Sequence, residues 1–234
     1  MAVETFSSAQ VVDLVPRQSN RRSHAVFVAL QKEIVLGVLK PDQVLTELDL
    51  AERFNCSQGT VREALLQLSE EGLVNRQPHR GTRVAPCRSH DARALLQIRR
   101  EVECGYLSRV LERTDDALLA RLRELLDGMR NAARDNDEYR LSVHDRAFHL
   151  TLFETADLAL VTPILARCLI HNHRFKILNS KPNRALVETA ERHLPIIAAL
   201  EQRDEGGLHQ VLSHHIATIV DLGPDLTLGE GSAR

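Results

Sequence analysis

Eight of the chain's 11 histidines fall between His144 and His215. Imidazoles and carboxylates brought together at helical spacing are the donors a transition metal takes, so helical phase decides which of them could act as one set. Leu141, Asp145, Phe148, His149 and Leu152 share one helical face, which sets Asp145 and His149 one turn apart and pointing inward. His193 lies on the stripe of Leu186, Ala190, Ile197 and Leu200, and His215 on that of Leu208, Val211, Leu212 and Ile219. His214 shares its face with Gly207, Gln210, Thr218 and Asp221, which is a solvent face. His171 and His173 stand two residues apart, diverge around a helix, and are not expected to hold one ion together. One acid and three histidines therefore point into a bundle from three helices. Buried without an ion they would be poorly satisfied. As ligands they suit Zn, Ni, Co, Mn or Fe and leave open positions for an exogenous group. For most of the other histidines, plain surface residues are the ordinary reading.

Positioning such a set requires a helical frame, and the composition supplies one. Of 234 residues, 43% are hydrophobic and only 3% aromatic, with no Trp, so the core must be built from Leu, Ala, Val and Ile. From Ser89 to about Leu222 no strand pattern interrupts the helical periodicity. Starts are expected near Ser89, Thr114, Asp137, Asp157, Asn183 and Asp204, with Pro163 and Pro195 marking a first turn or a kink. This half is expected to be an all-α bundle.

The N-terminal half reads differently. A helix is expected over Ser23–Leu39, with Val26, Leu30, Ile34 and Val38 along one face and Pro41 ending it. Thr46 then caps a short helix carrying Leu48, Leu50, Ala51 and Phe54. Ser57 caps a third helix over Gln58–Glu71 that faces inward through Val61, Ala64, Leu65 and Leu68, and Gly72 stops it. Two short alternating stretches, Leu73–Arg76 and Thr82–Ala85, flank Gln77-Pro78-His79-Arg80-Gly81 and predict a hairpin. Three helices and a hairpin make a winged helix-turn-helix. The fold class is thus mostly α, with an N-terminal winged helix-turn-helix followed by an all-α helical bundle. The expected division is a mobile arm at 1–22, the winged unit at 23–87, the bundle at 88–222 and a polar tail at 223–234.

Charge and composition exclude several classes. Ordinary apolar and charged fractions rule out disordered, collagen-like and fibrous chains. No apolar run approaches the roughly 18–20 residues of a membrane helix, and residues 1–20 lack the pattern of a signal peptide. Cys56, Cys87, Cys104 and Cys168 are widely spaced and read as reduced thiols of a cytoplasmic protein. The formal net charge is −2, so attraction to nucleic acid must come from local features. Two such features exist. Arg17, Arg21, Arg22 and Lys32 lie between Asp13 and Glu33 with no acid among them, as do Arg76, Arg80, Arg83 and Arg88 between Glu71 and Asp91.

The unit TELDLAERFNCSQGTVREALLQLSEEGLV resembles the winged helix-turn-helix of the GntR superfamily of bacterial transcription regulators. The resemblance spans about Val26 to Ala85 and rests on Gly37, Leu45, Leu50-Ala51, Ser57, Val61-Arg62-Glu63-Ala64-Leu65, Leu68, Glu71-Gly72-Leu73-Val74 and Gly81. It implies that the start of the third helix enters a DNA groove, with Ser57, Gln58, Gly59, Thr60 and Arg62 at the interface. Gln58, Gly59 and Arg62 fall off the inward stripe. Arg62 suits a guanine edge and Gln58 an adenine edge. His79, Arg80, Gly81 and Arg83 would carry the wing toward phosphates or the minor groove.

The second half resembles the FCD ligand-binding domain of the FadR branch of that superfamily, over about Ala92 to Val220. It does so through Arg99-Arg100-Glu101-Val102-Glu103, Asp145-Arg146-Ala147-Phe148-His149, His193, and Asp204 leading to His215-Ile216. The resemblance implies that Asp145, His149, His193 and His215 hold a divalent metal, foremost Zn, and that Arg99 meets a small carboxylate effector. It further implies a homodimeric repressor on an inverted-repeat operator, controlling a catabolic or transport operon, with no membrane partner. The rival reading is a metal-dependent hydrolase, because three histidines and an acid could activate water. Against it, no additional carboxylate is expected on the same face to act as general base, and the winged unit would have no role. Arg99 itself is expected among Leu95, Ile98, Val102 and Leu107, with no acceptor in that set of four once Asp145 is committed to the ion.

Overall fold

The structure is a computed structural model and describes residues 18–77, 81–179 and 185–218. The N-terminal unit runs α1 (Gln18–Val35), β1 (Val44–Leu45), α2 (Glu47–Arg53), α3 (Gln58–Glu70), β2 (Val74–Gln77) and β3 (Gly81–Val84). Helix α1 buries Val26, Leu30 and Ile34 as expected, but it begins within the segment read as an arm and ends before Val38, which is exposed. The reason is Gly37, whose φ of +70° turns the chain and lets the Leu39 N–H reach the Glu33 carbonyl at 3.1 Å. Pro41 comes only after the helix has closed.

Both expected caps form. Thr46 Oγ1 accepts from the Asp49 N–H at 3.1 Å, and Ser57 Oγ from the Thr60 N–H at 3.1 Å. Helix α2 buries Leu50 and Ala51, whereas Leu48 points to solvent. Helix α3 buries Val61, Ala64, Leu65 and Leu68. The hairpin pairs Asn75 with Arg83, and the two-residue β1 joins its other edge to give the order β1-β3-β2. A strand that short leaves no periodic trace in the sequence.

The second unit contains α4 (Ser89–Cys104), α5 (Leu107–Glu112), α6 (Asp116–Arg134), α7 (Glu138–Glu154), α8 (Thr162–Asn179), α9 (Leu186–Glu191), α10 (Leu194–Gln202) and α11 (Glu205–Ala217). Asp137 and Asp204 cap helices as expected. Asp157 starts no helix; its positive φ breaks the chain, and α8 begins at Thr162 with Pro163 in its first turn. Asn183 lies outside the described residues, as do the tail and residues 1–17. Two breaks leave more helices than expected. One falls at Gly105-Tyr106. The other falls at Arg192-His193, where Pro195 in the first turn of α10 cannot donate to the preceding turn and the helix has to restart.

Leu122, Leu126 and Met129 of α6, Phe148 and Leu152 of α7, Ile196 and Leu200 of α10 and Leu212 of α11 form one core. The winged unit has its own core, which also takes in Tyr139 of α7 and Ile170 of α8. The two units therefore share a packed junction. No described helix is long and apolar enough to cross a membrane.

Candidate metal centre and nucleic-acid interface

Helix α7 carries Asp145 and His149 inward one turn apart, the break before α10 places His193 at its cap, and the last turn of α11 delivers His215. All four are buried. Ring nitrogens of His149, His193 and His215 lie within 4.8 Å of one another. His149 Nε2 is 3.2 Å from His215 Nε2, and Asp145 Oδ2 is 3.4 Å from His193 Nε2. Asp145 Oδ1 lies 3.8 Å from His149 Nε2. Outer partners fix two of the rings. His149 Nδ1 meets Glu103 Oε2 at 2.6 Å, and His193 Nδ1 meets the Ala190 carbonyl at 3.1 Å. Both partners only accept, so each ring gives up its Nδ1–H and turns an Nε2 lone pair toward the cluster.

The protonation states suit a cation. Burial holds the His149 and His215 pKa values below that of a free imidazole, so both rings stay neutral. Burial alone would raise the Asp145 pKa, but His173 and His193 beside it pull it well below the ordinary carboxylate value. One carboxylate and neutral imidazoles are the forms that bind metal. Asp145 Oδ1 and His193 Nε2, which face the cluster, are buried without a hydrogen-bond partner. Orphaned acceptors of this kind fit a transition ion, by the chemistry of the donor set.

Arg99 of α4 is completely buried beside this cluster. Its Nε donates to Glu103 one turn on, while Nη1 and Nη2 have no partner. Arg99 thus finds its one acceptor in Glu103, outside the set of four, and its two terminal nitrogens have none. Its surroundings match expectation at the buried Leu107 and differ at Ile98. Ile98 faces solvent, and the inward stripe of α4 is Ala92, Leu96, Arg99 and Glu103.

In the N-terminal unit, the start of α3 leaves Ser57, Gln58, Gly59 and Arg62 exposed. Thr60 is buried, with its hydroxyl 3.0 Å from Ser57 Oγ, so its side chain serves the cap and faces away from any groove. Arg62 pairs with Glu47, Nη2 to Oε2 at 2.6 Å, and Arg76 lies 3.8 Å from the same carboxylate. The hydrogen bond from Arg62 is the largest influence on the Glu47 pKa, which is lowered. Alternation along β3 turns Arg83 outward, where Nη1 reaches the Asp42 carbonyl at 3.1 Å. Gly81 has a φ of +79° with open space around it. His79 and Arg80 lie outside the described residues.

Residues 22–84 match the bacterial regulatory proteins of the gntR family, and residues 94–218 match the FCD domain. The chain belongs to the GntR family of regulators that carry an FCD domain. It is 26% identical over 198 residues to the HTH-type transcriptional repressor RspR of Escherichia coli (strain K12), covering 83% of this chain and 85% of that one. It is 27% identical over 185 residues to a probable D-xylose utilization operon transcriptional repressor of Paenarthrobacter nicotinovorans, covering 79% and 81%. Among solved structures, E. coli McbR/YncC superposes with a TM-score of 0.70 at 23% identity, covering 83% of this chain and 93% of that one, and shows the same fold. A putative GntR regulator from Rhodococcus sp. RHA1 gives a TM-score of 0.66 at 26% identity, covering 84% and 94%.

Three functional neighbours escape the sequence reading of this GntR regulator. Glu103 was legible in principle, because an acid one turn after an inward Arg99 is the spacing of a helical ion pair. It adds a second carboxylate to the site from another helix, with its oxygens already engaged by Arg99 and His149. The regulators among its relatives give the hydrolase reading no support. His173 is buried with Nε2 3.0 Å from Asp145 Oδ1, a close contact not aligned as a hydrogen bond, and burial lowers its pKa to about 4, so the ring is neutral. His171 does diverge from it, donating to the Glu71 carbonyl at 2.9 Å. Around His173 helix α8 is buried nearly all round, from Cys168 to Lys176, so phase cannot tell an inward face there. Glu47, the partner of Arg62, lies 15 residues away in sequence.

Proposed function

We propose that this GntR regulator is a homodimeric repressor, released from an inverted-repeat operator when a small carboxylate binds beside a metal held by Asp145, His149, His193 and His215. Zn suits the donors best, and Ni, Mn, Co or Fe suit the same set. The metal supplies a Lewis-acidic docking point for an oxygen anion. The observation that carries the reading is Arg99, fully buried with Nη1 and Nη2 unpartnered and joined through Glu103 to His149. A buried guanidinium fork without acceptors awaits a planar anion. Relatives named as repressors support the sign of the control.

The test is a titration of the operator complex with small mono- and dicarboxylates, comparing the parent chain with Arg99→Lys. Lysine keeps a cation for Glu103 but cannot present the fork. The variant should hold its metal and its effector-free affinity, yet need about 10- to 100-fold more carboxylate for release, the worth of a charge-assisted bidentate contact. Release at parental concentrations would remove Arg99 from the effector site.

DNA reading is tested separately. Arg62 must leave Glu47 to meet a base, and Arg62→Ala should weaken operator binding by about 1–3 kcal/mol while affecting random DNA less. Equal operator affinity for parent and variant would overturn the groove assignment.

A further inference from the structure

Four consecutive residues of α8 reach four different parts of the molecule. His171 Nε2 donates to the carbonyl of Glu71, at the end of α3, at 2.9 Å. Asn172 Nδ2 donates to the carbonyl of Ala92, in the first turn of α4, at 3.2 Å. His173 Nε2 stands 3.0 Å from Oδ1 of Asp145. Arg174 gives Nη2–H to the Ala85 carbonyl at 2.7 Å and Nη1–H to that of Pro86 at 3.3 Å. Residues 85 and 86 belong to the segment joining the wing to the helical unit. Successive helical side chains point about 100° apart, so four in a row can all find partners only on an enclosed helix.

We infer that α8 couples the metal cluster to the DNA-reading unit, with His173 and Arg174 as positioning residues that tie Asp145 to the segment carrying the wing. This inference rests on the metal reading above. His173 approaches Asp145 Oδ1, an orphaned cluster oxygen that an ion would engage, so filling the cluster changes what His173 meets. Its neighbour Arg174 cannot absorb a shift of the helix without consequence. Arg174 is completely buried, and no carboxylate among the described residues pairs with it. Its charge is compensated by the two linker carbonyls, and losing them would strand a guanidinium in the interior. A movement of α8 therefore carries residues 85 and 86 with it. His171 transmits the same movement to the end of α3. Coupling through a hydrogen-bonded, packed element with two arrangements is the physical form such transmission takes.

The junction has a second tie, from Tyr139 of α7 through Gln31 to Glu71, with Tyr139 Oη donating to Gln31 Oε1 at 3.0 Å and Gln31 Nε2 to Glu71 Oε2 at 2.7 Å. Amide hydrogen exchange on the full chain separates the two ties, with Zn²⁺ alone as the probe against a chelated sample. In the parent chain Zn²⁺ should slow exchange around residues 145–152 and 208–217. It should also slow residues 85–92 and 71–75 by about fivefold or more, the lower end of ordinary coupling between sites. Arg174→Met should keep the slowing at the cluster and lose it at 85–92. His171→Phe, at a half-buried position that tolerates change, should keep the slowing at 85–92 and lose it at 71–75. Slowing at 85–92 that survives in Arg174→Met, or at 71–75 in His171→Phe should Arg174→Met not fold, assigns the coupling to Tyr139 and overturns the proposal. A parent chain slowed at the cluster but not at 85–92 overturns it as well while leaving the metal reading intact. A parent chain with no slowing at the cluster overturns the metal reading, and the α8 coupling falls with it.

Discussion

The His149→Ala chain should retain less than about a tenth of the transition metal held by the parent, and should melt several degrees lower. His149 is the hub of the cluster. Its Nε2 faces His215 and Asp145, and its Nδ1 is anchored by Glu103. Alanine removes one ligand and also releases Glu103 from its outer position. An ion that binds only the folded chain stabilises it by RT ln(1 + [L]/Kd), about 4 kcal/mol at a thousandfold excess over Kd. Losing the ion forfeits that term, and the emptied ring volume adds a cavity cost. The measurement is elemental analysis of the purified chains together with melting curves recorded with and without chelator. Chelation should bring the parent close to the variant and leave the variant unmoved. His214→Ala is the internal control, because His214 is exposed while its neighbour His215 is buried. It should change neither metal content nor melting. A parent chain that carries no ion and ignores chelator would end the metal reading.

Much of this geometry was legible because it obeys local rules. Asp145 and His149 share a face by helical spacing alone, and Ser57 with Thr46 caps helices wherever such residues precede an apolar stripe. The winged unit followed from three stripes and a hairpin. What escaped depends on tertiary surroundings. The inward side of α8 could not be read because the helix is enclosed around His173, so the divergence of His171 and His173 was legible but the approach of His173 to Asp145 was not. Thr60 was placed at the groove only by the family resemblance, yet a hydroxyl that bonds its own cap residue can be buried cheaply. Val38 fitted the stripe of α1, but the left-handed turn at Gly37 ended that helix first. Arg99 and Leu107 were placed inward correctly while Ile98 was not, because an arginine and a glutamate occupy the stripe of α4 that hydrophobic residues normally fill.

That pair supports the second large expected effect. Arg99 and Glu103 are both buried and joined one turn apart, and Glu103 also receives the Nδ1–H of His149. Burial alone would push the Glu103 carboxyl up, but Arg99 and His149 hold it below the ordinary value, so it is charged. Glu103→Ala removes that charge and leaves a guanidinium in the interior with no acceptor at all, since its terminal nitrogens have none already. Breaking one side of a buried ion pair costs about 3–5 kcal/mol, and a loss of that size is expected in denaturant titrations of the metal-free chain. Working without metal keeps the effect separate from that of His149. Removing both partners should cost far less, because no charge is then stranded: Arg99→Met with Glu103→Leu should recover most of the loss. Glu103→Gln divides the two jobs of the residue. Its amide oxygen can still accept from His149, so metal binding should survive, while Arg99 loses its counter-charge and stability falls. If Glu103→Ala costs less than about 1 kcal/mol, the range of an exposed pair, then Arg99 finds another acceptor in solution and is not the waiting fork inferred for the effector.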